Sequence, residues 1–573
     1  MTALLTDNLP LLAGAPNGIQ KLRELILELA VRGKLVPQDP SDEPASELLK
    51  RIAEEKARLV AEGKIRKQKP LAEIGEEERP FELPEGWEWI RLSDLLPEFQ
   101  NGASSRGDSD GLPVTVLRLA DIRAGEISLD DTRTLMLSAG TISKYTLEDG
   151  DILLIRVNGS ADLVGRFVVC RAALQAIPCD HFIRMRFPRG VIDSAYLKLV
   201  GDSEIARSAI AGLFVSTAGQ KTVNQGHVGS LSVPLPPLPE QHRIVAKVDE
   251  LMALCDRLEA RQADAASAHA RLVQALLDSL TQASDAEDFA ASWQRLAEHF
   301  HSLFSSESSI DALKQILLQL AVMGKLVPQD LMEETGEKLL RRIQCSREDK
   351  RKIVAISDDV QASVNGLLPE NWVWGSVDQI SADDSRAITD GPFGANLKTE
   401  HYISDPGFRV VRLQNIGSGW FRDEHRAYVD QGRFEKIIKH QVLPGDLIVA
   451  GLIDSSIRCC SVPEDIGPAV VKADCYRFCV HPLVSSKYVL YYLNSKMAHE
   501  FAAIHHHGLT LTRIGLGNFR SIPVPLPPAA EQHRIVAKLD QLMSFCDQLK
   551  ARLTAARQLH ERLAGALVEQ AVA

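Results

Sequence analysis

At 573 residues, 45% hydrophobic and 25% charged, the chain is long enough to bury more than one sizeable core. The net charge of −11 excludes a uniformly basic nucleic-acid coat, so any phosphate-binding face must be a local concentration of basic residues. No apolar run approaches the roughly 20 residues of a membrane span, and residues 1–20 lack the basic start and apolar stretch of a secretory signal, which predicts a cytoplasmic protein.

The first 80 residues read as a helical region. Ile19, Leu22, Ile26 and Leu29 recur at helical spacing and stop at Gly33, a residue suited to the position just past a helix end. From 81 to 239 the pattern changes to short β-rich stretches, Val114 to Leu119, Asp151 to Val157 and Arg166 to Cys170, separated by Gly, Asn and Asp turns. This predicts an α+β module. Trp87 and Trp89 stand two residues apart, which on a strand would place both on one face at the start of the core.

A long helix is predicted over 240–280, entered through Pro236, Pro237 and Pro239. Its apolar positions Ile244, Val248, Leu251, Cys255 and Leu258 alternate steps of four and three, the spacing of a coiled-coil seam. Residues 281–367 form a second helical and linker region. It holds an insert with Phe289, Trp293, Leu296, Phe300 and Leu303 at helical spacing, expected to pack within the chain, then Ile310, Leu313, Leu317 and Leu320 closing at Gly324. A second module follows over 368–528, with Trp372, Trp374 and strands at Phe408 to Leu413 and Asp446 to Ala450. The chain ends in a second long helix, 529–573, with Ile535, Leu539, Leu542, Cys546, Leu549 and Leu553 on its stripe.

The two halves are copies. Glu-Gln-His-Arg-Ile-Val-Ala-Lys occurs at 240–247 and at 531–538, and Leu-Ala-Val-x-Gly-Lys-Leu-Val-Pro-Gln-Asp at 29–39 and at 320–330, both displaced by 291 residues. Between these anchors the register slips, and Gly150-Asp151-Ile152 matches Gly445-Asp446-Leu447 at a displacement of 295. Fixed flanks with divergent middles suggest one packing job and two different binding surfaces. Paired with each other in antiparallel fashion, the two rods would relate the modules by an internal two-fold.

Polar, glycine-rich turns supply candidate nucleic-acid contacts, because small residues let backbone approach phosphate while Arg and Asn can read base edges. In the first module these are Asn101, Ser104, Arg106, Arg156, Asn158, Ser160 and Arg166; in the second, Asn396, Lys398, Arg412, Asn415, His506 and Arg513. Ordinary turn chemistry competes for every one of them. Asp151 and Asp446 begin equivalent strands, where a turn role accounts for them better than acid–base work. No Walker, H-E-x-x-H, G-x-S-x-G or Asn/Asp-Pro-Pro-aromatic signature is present, so no catalytic residue is assigned. The nine cysteines are scattered; Cys475 and Cys479 lack a matching pair, Cys255 and Cys546 lie on the apolar stripes, and no metal site is expected.

The doubled Leu-Pro-x-x-Trp-x-Trp entry, the Gly-Asp-Ile-Leu-like strand and above all the Pro-Leu-Pro-Pro-x-x-Glu-Gln-His-Arg-Ile-Val helix resemble a type I restriction-modification specificity subunit over nearly the whole chain. That resemblance implies two target-recognition domains separated by long antiparallel coiled-coil helices. Each domain would read one half of a bipartite double-stranded DNA site, and the helices would set the spacer. It also implies two docked adenine-N6 methyltransferase subunits and added restriction/translocase subunits, with S-adenosylmethionine, ATP and magnesium held by those partners. The N-terminal block and the 281–309 insert depart from the simplest family pattern. The competing expectation is a coiled-coil scaffold with two protein-binding modules.

Overall fold

The computed structural model describes residues 11–64, 71–104, 111–217, 219–283, 286–348, 351–364, 366, 368–404, 406–453, 457–503 and 512–572. Arg106 and His506, both candidate contacts, lie outside the described residues. Two compact units divide the chain, 1–265 with 556–573 and 266–555.

The first unit opens with helix α1 (Gly18–Val31), whose buried face is Ile19, Leu22, Leu25, Ile26 and Leu29. Gly33 ends it at φ 67°, where the following Lys34 N–H closes back on the Leu29 carbonyl. A Cβ there would stand 2.5 Å from Pro84 Cγ, so glycine is required twice over. Strand β1 (Glu88–Arg91) pairs antiparallel with Ser232–Leu235, fastening the two ends of the module together. The tryptophans do not share a face as the spacing predicted. Trp87 precedes the strand, in a turn closed onto the Pro84 carbonyl, and is buried in the main core; Trp89, inside the strand, packs at a tilt against Phe81 instead.

Three larger sheets and a small hairpin of Ile122–Arg123 with Glu126–Ile127 make up the rest of this module. The first orders β2 (Glu98–Asn101), β9 (Phe182–Arg186), β5 (Ile152–Ile155) and β7 (Phe167–Val169), all antiparallel. The second sets β8 (Ala176–Pro178) parallel to β3 (Leu112–Leu117), which pairs antiparallel with β4 (Arg133–Leu137). The third is an arm of β6 (Val157–Asn158), β10 (Val215–Thr217) and β11 (Gln220–Thr222). Strand β5 is an unbroken apolar run because both its faces are buried. Ile152 and Leu154 enter the main core while Leu153 and Ile155 enter a second one.

The second unit carries the corresponding pairings. Val373–Ser376 pairs with Pro523–Leu526; Ile388–Thr389, Cys475–Phe478, Leu447–Ala450 and Cys459–Ser461 form one four-stranded sheet; Phe408–Val411 runs parallel to Ala469–Val471 in another; Leu452–Ile453 pairs with Thr512–Arg513. Leu447 and Val449 face one core, Ile448 and Ala450 a second. Trp372 joins the main core and Trp374 a separate cluster with Val360 and Val364. Gly324 repeats the role of Gly33, at φ 71° and with a virtual Cβ 2.4 Å from Pro369 Cγ. In the insert, Leu296 and Leu303 are buried in this unit's core, whereas Trp293 stays largely at the surface.

The two long helices span Leu238–Gln282 and Ala529–Val572. Pro239 falls in the first turn, where its missing N–H removes no helical bond. Ile244, Val248 and Leu251 are buried and Leu258 partly buried, packed with α1 and the first module, in a core that also takes Ala564 and Ala571. Ile535 and Leu539 are buried and Leu542 and Leu549 partly buried in the second unit's core, together with Val273, Leu277 and Leu280. The stripe read as a seam between rods is therefore used in large part to seat each module and its leading helix on the rod.

The repeated octapeptide explains that seating. Glu240 accepts a hydrogen bond from Trp87 Nε1 at 3.0 Å and one from Gln38 Nε2 at 3.2 Å; Glu531 accepts from Trp372 Nε1 at 3.0 Å and from Gln329 Nε2 at 2.6 Å. Gln241 and Gln532 accept the Asp193 and Ser485 N–H groups and donate to the Pro236 and Pro527 carbonyls. Arg243 pairs with Asp42, and Arg534 with Glu333. Burial raises the Glu240 and Glu531 carboxyls above the ordinary glutamate range, and the tryptophan bonds act in the opposite sense.

Candidate nucleic-acid interface

In the first module three segments converge on the turn between β8 and β9. The chain leaving β2 crosses this turn, with Gly102 N–H donating to the Phe182 carbonyl at 2.9 Å and Ala103 N–H to the Pro178 carbonyl at 2.8 Å. Gly102 is forced by proximity, since a Cβ would lie 2.0 Å from the Cys179 carbonyl oxygen. The arm arrives through Arg156, whose N–H donates to the His181 carbonyl at 2.8 Å and whose carbonyl accepts from Val223 at 3.0 Å. Asn101, Ser104 and Ser160 are exposed along this face. Asn101 Oδ1 accepts from Gln225 Nε2, and Asn158 Oδ1 holds the Ser160 N–H at 2.8 Å. Lys221, opposite Asn158 in the arm, was missed from sequence; its ammonium lies 5.5 Å from the centre of the Phe214 ring.

The second module has the same crossing. Gly391 stands where a Cβ would be 2.0 Å from the Lys472 carbonyl carbon, and Asp390 Oδ1 accepts the Gly391 and Asp474 N–H groups at 2.7 and 3.1 Å. Burial pushes the Asp390 carboxyl up to about 6, with the neighbouring Asp474 charge adding to the shift and Arg513 opposing it. Gly451 N–H donates to the Asp474 carbonyl at 2.7 Å and the Gly451 carbonyl accepts from Ile514 at 2.9 Å, as Arg156 does in the first module. Arg513 then pairs with Asp474 at 2.7 Å and stacks on Phe393 at 5.0 Å, with both Arg513 and Phe393 47% exposed. Asn396 and Lys398 are exposed in the loop after Gly391, Lys398 only loosely paired with Glu400 at 3.9 Å.

Three candidates are corrected by their surroundings. Asn415 is fully buried, accepts the Arg412 N–H and donates to the Arg422 and Glu424 carbonyls, so its polar atoms are spent inside the fold. Arg412 is a latch, its guanidinium donating to the His425 carbonyl at 2.7 Å beside the Tyr402 ring. Arg118 does the same in the first module, bonding the Asp131 carbonyl and pairing with Asp121. The signal was legible as Val-Leu-Arg-Leu-Ala-Asp-Ile at 116–122 against Val-Val-Arg-Leu-Gln-Asn-Ile at 410–416. Arg166 donates to the Asp162 carbonyl and faces Asp202, in a cleft where it and Arg207 are outnumbered by Asp202, Glu24, Glu28 and Glu204, an acidic excess that disfavours phosphate. Asp151 and Asp446 each accept a backbone N–H three residues back and pair with Arg186 or Arg477, which makes them structural.

Residues 442–556 match the type I restriction modification DNA specificity domain. Across 97% of this chain and 94% of the other, the sequence is 35% identical to the type I restriction enzyme EcoEI specificity subunit of Escherichia coli. It is 34% identical, with the same coverage of each chain, to the EcoAI specificity subunit of Escherichia coli. A solved chain from a study of assembly and conformational transition in a type I R-M system aligns with 86% of this chain and 99% of its own length, at 16% identity and a TM-score of 0.48. No described helix is long and apolar enough to cross a membrane. Full-length kinship at this level of identity fixes the family: the chain belongs to the specificity subunits of type I restriction-modification systems, the non-catalytic chains that give those systems their DNA sequence specificity.

Proposed function

We propose that residues 81–239 and 368–528 are two target-recognition domains, each reading one half of a bipartite, asymmetric double-stranded DNA site. The helices over 240–280 and 529–573, antiparallel and related by an internal two-fold, set the spacer and dock two adenine-N6 methyltransferase subunits, to which restriction/translocase subunits are added. S-adenosylmethionine, ATP and magnesium belong to those partners, and the complex works in the cytoplasm. The observation that carries this reading is the doubled crossing at Gly102 and Gly391, one backbone framework presenting different side chains. Asn101, Ser104 and Ser160 are exposed in the first module, with Arg156, Asn158 and Lys221 half-buried beside them; Asn396, Lys398 and Arg513, beside Phe393, are exposed in the second. Two surfaces built alike and furnished differently suit two different half-sites.

A genome-wide map of N6-methyladenine, compared with a strain lacking this chain, tests the proposal. Loss of methylation at a single two-part motif is expected. An unchanged map in cells that make the chain and its methyltransferase would overturn it and favour a scaffold with two protein-binding modules.

A further inference from the structure

Where the Asn101–Ser104 loop crosses the β8–β9 turn, the geometry points to a three-ligand site for a divalent transition metal of the zinc or cobalt class, formed by Cys179, Asp180 and His181. Their ligand atoms all lie within 4.8 Å of one another, and among the described residues this is the one such cluster found. Cys179 Sγ stands 3.7 Å from His181 Nδ1, and His181 Nδ1 stands 3.2 Å from Asp180 Oδ1. A tetrahedral ion with bonds of about 2.3 Å to sulfur and about 2.0–2.1 Å to nitrogen and oxygen has edges of roughly 3.6 Å for S···N and 3.4 Å for N···O. The two measured separations therefore fall within a few tenths of an ångström of one face of that tetrahedron. Thiolate, imidazole and carboxylate are all ligand types that zinc accepts, and three protein ligands leave the fourth position to water.

The turn that carries these donors is already held in place. Pro178 and Phe182 carbonyls accept from the crossing loop, the His181 carbonyl accepts from Arg156, and Phe182 N–H returns to the Cys179 carbonyl at 3.1 Å. Little backbone ordering is left to oppose binding. Binding replaces the Cys179 S–H bond with a sulfur–metal bond and releases that proton to solvent. The corresponding turn of the second module, Lys472-Ala473-Asp474, has no such donor set, so the site is private to the first. Its consequence for DNA, bracing the surface on which the Asn101–Ser104 loop rests, depends on the function proposed above; the binding itself does not.

The test uses the purified full-length chain, stripped with a chelator and titrated with Co²⁺. One equivalent is expected to raise a near-ultraviolet thiolate-to-cobalt band and the visible bands of a tetrahedral site. Cys179→Ser should abolish the thiolate band, and His181→Ala should weaken binding at least about tenfold, while Cys345→Ser, at an exposed cysteine elsewhere, changes nothing. Unchanged melting of each metal-free variant shows that the fold is intact. Absence of the band at saturating cobalt, or its survival in Cys179→Ser, overturns the site, and neither result bears on the methylation map.

Discussion

Ile244 and Ile535 occupy the same place in the two long helices and are both fully buried, so truncating each to alanine asks what the apolar stripe holds. Ile→Ala removes three carbons, about 0.8 kcal/mol apiece in transfer, and the cavity left in a packed core brings the expected cost to about 3 kcal/mol. At about 1.4 kcal/mol per factor of ten, amides that exchange by opening this core should lose roughly a hundredfold in protection. Hydrogen exchange read by mass spectrometry locates the loss. Ile244 shares its core with Leu22, Leu25, Ile26 and Leu29, so Ile244→Ala should deprotect α1 and leave 310–320 as they were. Ile535 shares its core with Ile310, Leu313 and Leu317, so Ile535→Ala should do the converse. Equal deprotection of both helices by either variant would mean that the stripe is one cooperative seam between the rods, and the account of module seating would fail.

Replacing Trp87 and Trp372 together by Phe removes a donor from each buried glutamate of the repeated motif. A carboxyl whose folded pKa is raised takes up a proton on folding, so its contribution is present below the ordinary glutamate pKa and lost as pH rises through the folded value. Loss of the indole bonds raises that value further; urea midpoints of the double variant should thus fall more at pH 7 than at pH 4.5, and an equal fall would contradict the sign. Asp378, fully buried between Arg351 and Arg520 and accepting the Val354 N–H, should cost about 3–5 kcal/mol on substitution by Ala, read as a fall in melting temperature of the full chain. Arg513→Ala should weaken specific DNA binding by about 1–3 kcal/mol and relax the methylated motif at one position of one half-site. Arg412→Ala should lower the melting temperature while leaving the motif as it is; an altered motif would restore it as a reader.

Periodicity was the strongest guide to the fold, for a physical reason. Helix faces and buried strands announce themselves through spacing, and α1, both long helices, β5 and its counterpart Leu447–Ala450 fell within a few residues of expectation. What the stripe packs against was not legible, because apolar spacing names a buried face and never its partner; Leu22 and Ile310 satisfy Ile244 and Ile535 as well as another rod would. Trp87 and Trp89 misled for a similar reason, since alternation holds only inside a strand and Trp87 lies just outside one. The site was harder still. Residue type alone does not say what an arginine does: Arg412 and Arg513 are the same side chain, and only the structure shows one bonded to the His425 carbonyl beside Tyr402 and the other paired with Asp474 beside the exposed Phe393 ring.

That distinction also sorts the repeat. A residue retained in both modules cannot distinguish two half-sites, and the retained ones have structural work: Glu240 and Glu531 hold Trp87 and Trp372, Arg118 and Arg412 latch loops, Gly102 and Gly391 let one segment cross another. Other positions around each crossing have changed: exposed Asn101 stands where the second module has half-buried Asp390, and half-buried Arg156 where it has buried Gly451. Side chains can vary here without cost to folding because the crossing is fixed by backbone hydrogen bonds and a missing Cβ, neither of which depends on the side chains presented around it.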